Sequence, residues 1–281
     1  MWIWCAVASA LMLGIYDVFK KQALAKNSIL MVLFASTSLS ALFLSPFLFT
    51  ELLEHEWQLV LKSAIVTISW VSGLAGMKYL PLTTAGILKA FRPVCVVLIS
   101  VLLLGEHLNL WQICGISLAF VALFMLSSAS SKEGIRFTHS KGFFYMCISI
   151  VSGVCSALLD KFIMQDMPPL YVQSHCNLYM TLMMALVLLG NAFWDKKTSV
   201  RFVFDWRLIM IAVFITGADF LYFYGLSLDG ALLSVIYITR RLSVVVTFIL
   251  GAILFSERNV ARKAISLAIL LCATILLVIG S

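Results

Sequence analysis

Two stretches decide how this chain is built: Gly86–His107, "GILKAFRPVCVVLISVLLLGEH", and Tyr237–Arg258, "YITRRLSVVVTFILGAILFSER". Shifted by 151 residues onto one another, they pair Ile87 with Ile238, Lys89 with Arg240, Val94 with Val245, Leu103 with Leu254 and Glu106 with Glu257. Each is an apolar run long enough to cross about 30 Å of hydrocarbon as a helix. Each is also interrupted by cations near its start and closed by a glutamate. In the second, Arg240 and Arg241 stand in the middle of "SVIYITRRLSVVV", Ser234–Val246. Placing an Arg or Lys at a helix centre opposes insertion by about 2.5–3.5 kcal/mol each, so the folded protein must offset these charges from within.

A second pairing supports the first. Shifted by 143, "SALMLGIYDVFKKQ" lies on "SGVCSALLDKFIMQ", matching Ser9 with Ser152, Asp17 with Asp160, Phe19 with Phe162 and Gln22 with Gln165. Any one such match of apolar helices is weak, but the order carries weight. Apolar runs of roughly 17 to 25 residues recur at 2–19, 29–50, 59–77, 83–104, 110–128, 142–160, 170–190, 208–228, 232–255 and 261–280. In that frame an Asp closes spans 1 and 6, a cation interrupts spans 4 and 9, and a Glu closes spans 4 and 9. With 62% hydrophobic and 12% charged residues, against about 25% charged in soluble domains, the expected fold class is an all-α integral membrane protein of ten transmembrane helices. Five spans is an odd number, so the second half is expected upside down relative to the first, as two inverted five-helix repeats. The first repeat covers 1–128, a linker loop 129–141, and the second repeat 142–281. The first span begins at Trp2 without a basic leader or a small-residue cleavage site, so it reads as a retained helix.

The net charge of +7 would point to nucleic acid in a soluble protein, but in membrane loops a basic excess sets orientation. Connections after the odd-numbered spans carry 14 Lys and Arg, from Lys20 to Lys263, whereas the other face has Lys62 and Lys161. Basic residues gather on the cytoplasmic side, so both termini are expected outside the cytoplasm. The seven cysteines (Cys5, Cys95, Cys114, Cys147, Cys155, Cys176 and Cys272) lie singly in apolar runs and the four histidines are scattered. No metal-ligand spacing results, and no Gly-rich phosphate loop. Neither metal nor cofactor is expected. An enzyme acting on lipid phosphates would also use buried arginines, but it needs a nucleophile or general base with partners in reach, and no His/Ser/Asp or Cys/His constellation is present.

The four cations within spans are Lys89, Arg92, Arg240 and Arg241. Lys89 and Arg92, three residues apart, share a helix face, and Arg240 and Arg241 point about 100° apart. If spans 4 and 9 face each other, Lys89 and one or both arginines converge on one cavity. The intramembrane carboxylates Asp17, Asp160 and Asp219 are too few to neutralise four cations. One reading is ion pairing; the other is that the excess positive charge holds an anionic substrate, for which arginine supplies a planar, permanently charged fork. Tyr222 and Tyr224 of "DFLYFYG" lie within two turns of Asp219, and Tyr237 lies one turn before Arg240. They either line the pocket or pack between helices. Asp219 suits a proton carrier or an ion pair. Trp70 and Lys20 are weaker candidates, and Pro93 should kink span 4.

These residues resemble the drug/metabolite transporter superfamily, in particular its EamA-like branch. The likeness rests on ten spans as two fives, on "YDVFKK" at Tyr16–Lys21, on "LLLGEHLNLWQICGISLAFVALFML" at Leu102–Leu126 and on "ILFSERNVARKAISLAILLCATILL" at Ile253–Leu277. Gly105-Glu106 and Ser256-Glu257 look like that family's endings of spans 4 and 9. The departure is the acidic "ELLEHEW" at Glu51–Trp57, where family members usually carry basic residues and have cytoplasmic termini. Sugar-phosphate translocators of the superfamily hold phosphate with a span-4 Lys and a span-9 Lys-Arg pair. Lys89 looks like the first, and Arg240-Arg241 like the second. The resemblance implies a secondary transporter of a small anionic metabolite, an organophosphate or other phosphate- or carboxylate-bearing solute. It would work by alternating access, in exchange or export, as a monomer or homodimer in a bacterial inner membrane. The alternative is an exporter of amino acids or other neutral metabolites in which the cations are structural.

Overall fold

The computed structural model describes residues 2–48, 56–95, 97–98, 109–132, 137–194, 203–228, 239–257 and 259–279, and the described residues are helical with short connections. In chain order the helices are α1 (Trp2–Ala23), α2 (Ile29–Phe43), α3 (Glu56–Tyr79), α4 (Leu82–Ala90), α5 (Leu110–Ser131), α6 (Lys141–Asp166), α7 (Pro169–Trp194), α8 (Trp206–Ser227), α9 (Ser243–Leu254) and α10 (Val260–Ile279). Five of them, α1, α3, α5, the Leu170–Leu189 part of α7 and α10, are long and apolar enough to cross a membrane by themselves. Large apolar side chains such as Trp4, Leu110, Phe124 and Leu186 stand exposed on the outside. A soluble protein would rarely leave so much apolar surface uncovered; here lipid covers it.

Local chemistry sets the helix ends. Asn109 and Gln112 form a reciprocal capping box at the start of α5, each side chain accepting the other's backbone N–H at 2.9 and 3.0 Å, which satisfies two donors a helix start leaves open. Asp205 caps α8 by accepting the N–H of Arg207 at 3.1 Å. Although burial works against it, the Arg207 amide and guanidinium, with Lys26 beyond, hold the Asp205 carboxyl below the usual carboxylate range. Glu257 caps α4 from the far end of the chain. Its carboxylate accepts the Leu82 N–H at 2.6 Å, the Thr83 N–H at 3.3 Å and the Thr83 hydroxyl, with the buried Lys263 ammonium 3.5 Å away. The α9–α10 turn delivers it there with Ser256 and Asn259 at φ 47° and 52°, a left-handed backbone that Asn tolerates well and other residues with side chains less so.

The helices pair across the two halves of the chain. α1 lies along α8, α3 along α6, α5 along α10 and α4 against α9, while α2 packs on α7 and α8 and α3 also meets α7. Small residues let the backbones close. A Cβ on Gly14 of α1 would fall 2.4 Å from Val246 Cβ, so the α1–α9 crossing needs glycine there. On the α3–α6 seam the Ser69 hydroxyl donates to the Ser149 carbonyl at 2.8 Å and the Ser149 hydroxyl to the Ser69 carbonyl at 2.6 Å. On the α1–α8 seam the Ser9 hydroxyl donates to the Ala218 carbonyl at 2.7 Å. Side-chain hydrogen bonds of this kind hold membrane helices together where the hydrophobic effect gives no drive.

The connections after the odd-numbered spans meet at one end of the bundle. Lys21 donates to the Met77 and Leu80 carbonyls, the latter at 2.6 Å; Lys26 lies 3.7 Å from Asp205; and the Asn27 side chain accepts the Val203 N–H at 2.7 Å. Asn259 reaches the Ala129 carbonyl at 3.5 Å. Lys21 and Lys26 lie at that end of the bundle.

Near the proline expected to kink span 4, the helix is interrupted at Phe91, one residue before Arg92-Pro93, where α4 ends and helix resumes at 92–95. Phe91 N–H donates to the Leu88 carbonyl at 3.1 Å, a tighter three-residue turn. The same break recurs at Leu242, whose N–H donates to the Thr239 carbonyl at 3.0 Å before α9 begins at Ser243. Leu242 is the residue 151 after Phe91, yet no proline follows it. The break thus belongs to the packing of both segments, with Pro93 favouring it in one.

Candidate functional site

A cavity of about 210 Å³ opens between α1, α3, α4, α6, α8 and the start of α9. Helical spacing puts Leu13, Tyr16, Asp17 and Lys20 on one face of α1 and Ser69, Trp70 and Gly73 on one face of α3, and all seven line it. Lys89 near the end of α4, Arg92 just past the break, and Arg241 just before the second break complete the polar wall. The two helix breaks therefore flank the pocket. Discontinuous helices at the midplane of transporter folds place backbone ends and polar side chains at such a site.

Among the described lining residues, four cations and one carboxylate come together. The Lys89 ammonium donates to Asp17 Oδ1 at 2.8 Å, and Lys20 lies 3.9 Å from the same oxygen. Thr247 of α9 donates to the other Asp17 oxygen at 3.4 Å. The buried Lys20 ammonium also sits 4.3 Å from the centroid of the Tyr16 ring and 5.7 Å from that of Trp70, a cation–π contact on each side. Arg92 donates to the Ser149 carbonyl at 3.5 Å, the carbonyl that also anchors Ser69. Its guanidinium rests on Gly153, where a Cβ would come within 2.3 Å of Nη2. With every group ionised, the described lining residues carry a formal charge of about +3.

The sequence-chosen residues divide. Lys89, Arg92 and Arg241 come together in the cavity. Arg240 instead forms an ion pair with Asp219 of α8, with its guanidinium 4.5 Å from the Tyr222 ring centroid. Neither Arg240, Asp219 nor Tyr222 is among the residues lining the cavity. Tyr224 is exposed and stacks on Phe220, ring centroids 6.3 Å apart. Tyr237, Glu106 and the Asp160 side chain lie outside the described residues. Sequence reasoning missed Tyr16, named Asp17 only as an ion-pair partner for the interior cations, and ranked Lys20 and Trp70 low. The available signal was the spacing of Tyr16, Asp17 and Lys20 in "YDVFKK". Asp17 was expected near the end of a span closing at Phe19, but α1 runs to Ala23, which sets the carboxylate inside the bundle. Among the described residues no group of His, Cys, Asp and Glu is arranged to hold a metal ion.

A polar cluster stands apart from this cavity at the start of α3. Glu56 accepts the hydroxyls of Tyr171 and Tyr179, the latter at 2.7 Å, and His175 stacks on Tyr171 with centroids 3.9 Å apart. It ties α3 to α7.

An all-helical bundle with apolar side chains on its outside and a charged pocket between interrupted helices defines the class, a multi-pass membrane protein. Residues 1–128 match the model of the EamA-like transporter family. A solved crystal structure shares the fold with a TM-score of 0.64 at 13% identity, covering 97% of this chain and 95% of its own. No curated protein matches the sequence.

Proposed function

We propose that the protein is a ten-helix secondary transporter built as two inverted five-helix repeats, moving a small anionic metabolite that bears a phosphate or carboxylate. The observation that carries this reading is the set of Lys20, Lys89, Arg92 and Arg241 around one cavity with Asp17 as the carboxylate among them. Retaining such charge inside a membrane is costly, and a neutral cargo gives no reason for it. Arginine forks and lysine ammonium groups make charge-assisted hydrogen bonds to phosphate or carboxylate oxygens. A volume of about 210 Å³ suits a metabolite of a few carbons beside its charged group.

The repeat organisation is supported by the pairing of helices. Exchanging α1–α5 with α6–α10 maps the α1–α8 contact onto α6–α3 and α2–α8 onto α7–α3, and leaves α2–α7, α4–α9 and α5–α10 in place. The matching breaks at Phe91 and Leu242 support it again. We place the protein in a bacterial inner membrane, with the basic face inward and both termini outside. Moving a dianion inward against the membrane potential costs about 2.3 kcal/mol per charge per 100 mV, which favours export or exchange.

Two measurements test this. A ligand that binds only the folded state raises the melting temperature, by a stabilisation of about 2.7 kcal/mol at a hundred times its Kd. In a thermal-shift series on the purified protein, sulfate, inorganic phosphate and glycerol phosphate should raise the melting temperature, and neutral amino acids should not. Amino acids alone being active would turn the reading to the neutral-cargo exporter. For orientation, a reporter active only in the cytoplasm should work when inserted near Lys196 and stay silent when fused after Ser281. The reverse pattern would overturn the charge count.

A further inference from the structure

We propose that Asp17 is the proton-coupling residue of this carrier: an entering anion takes Lys89 from it, and the displaced carboxylate takes up a proton that travels with the cargo. The inference rests on the anion-transport reading above and adds the identity of the coupling group. Asp17 holds the position such a group requires. It lines the cavity, and its two oxygens bind two cations and a hydroxyl drawn from three elements, Lys20 on α1, Lys89 on α4 and Thr247 on α9. It is the carboxylate that Lys20 and Lys89 share.

A doubly charged oxyanion that bonds to Lys89 must compete for the ammonium that Asp17 holds at 2.8 Å. Once it succeeds, carboxylate and cargo are like charges in one pocket, and like charges that share a site favour protonation of one of them. One O–H bond forms on Asp17 as one O–H bond breaks in a hydronium ion on the open side, which leaves neutral water behind, and no other covalent bond changes. The groups facing Asp17 are Tyr16 and Lys20 of its own helix, Trp70 of α3, Lys89 and Arg92 of the α4 segment, and Arg241 and Thr247 of the α9 segment. From α8, Asp219 is held by Arg240 and is not among the cavity's lining residues, so it stays paired while Asp17 changes partners. The transported unit of dianion and proton then carries one negative charge instead of two.

The test is isothermal titration of the purified protein with sulfate, a tetrahedral dianion that does not itself titrate near neutral pH. Binding is measured at pH 7.5 in two buffers of different ionisation enthalpy, which reads the protons exchanged. Wild type should take up about one proton per bound sulfate, following the like-charge argument. Asp17→Asn should bind sulfate at least as tightly with almost no proton uptake, and Asp17→Glu should restore the uptake. The double variant Asp17→Asn/Lys20→Gln keeps the cavity's net charge and should also bind without proton uptake, which guards against a misfolded single variant. Sulfate binding without proton uptake in wild type, or uptake that persists in Asp17→Asn, overturns the role of Asp17 and leaves the anion site standing. No sulfate binding by wild type overturns both.

Discussion

Arg241→Gln should weaken binding of sulfate or phosphate by one to two orders of magnitude. Glutamine keeps a polar side chain of similar reach but removes a charge-assisted hydrogen bond, a loss of about 1.5–3 kcal/mol. Arg241 stands at the cavity wall beside the second helix break, opposite Lys89 and Arg92, so an anion seated there meets cations from both halves of the chain. Tyr224→Phe is the control, because Tyr224 is exposed and stacked on Phe220; it should leave affinity unchanged. A comparison of Kd values across the two variants checks this directly. Equal affinity in Arg241→Gln and wild type would remove the span-9 cation from the substrate site.

Much of this arrangement was legible in the sequence, and the remainder was hidden for physical reasons. Hydropathy gave the membrane class because no soluble core tolerates so few charges. The cations of the two long stretches gave the cavity in outline, since Lys89 and Arg241 both line it, although the residue aligned with Lys89 is Arg240, which does not. The division of labour between Arg240 and Arg241 was not legible: adjacent residues on a helix point about 100° apart, and only the positions of α1 and α8 decide which one meets the pocket and which one meets Asp219. The role of Asp17 was obscured by the length of α1. A hydropathy window ends where lysines begin, yet Lys20 buries its stem and lies against the Tyr16 and Trp70 rings, so the helix continues. Pro93 announced the first break. Its counterpart at Leu242 has no local breaker, and only the repeat alignment connects the two. The cap that Glu257 provides for α4, across 175 residues of sequence separation, is likewise a tertiary fact that no local pattern encodes.

Arg240→Gln should behave in the opposite way to its neighbour, losing stability rather than affinity. Arg240 and Asp219 form an ion pair with side chains 19% and 25% exposed, and the guanidinium also lies on the Tyr222 ring. Removing one partner of a buried pair strands the other charge, at a cost of about 3–5 kcal/mol; the partial exposure here argues for the lower end. The melting temperature of the empty protein should therefore fall clearly in Arg240→Gln and again in Asp219→Asn. In the double variant Arg240→Gln/Asp219→Asn, two neutral amides replace the pair and no charge is left uncompensated, so most of the lost stability should return. The coupling energy from that cycle isolates the interaction, because each single change removes the same contact. Sulfate affinity should stay within a few-fold of wild type in all three, since none of these side chains lines the cavity. Additive losses in the double variant would mean that Arg240 and Asp219 act independently, and a large loss of sulfate binding in Arg240→Gln with stability intact would move the substrate site from Arg241 to Arg240.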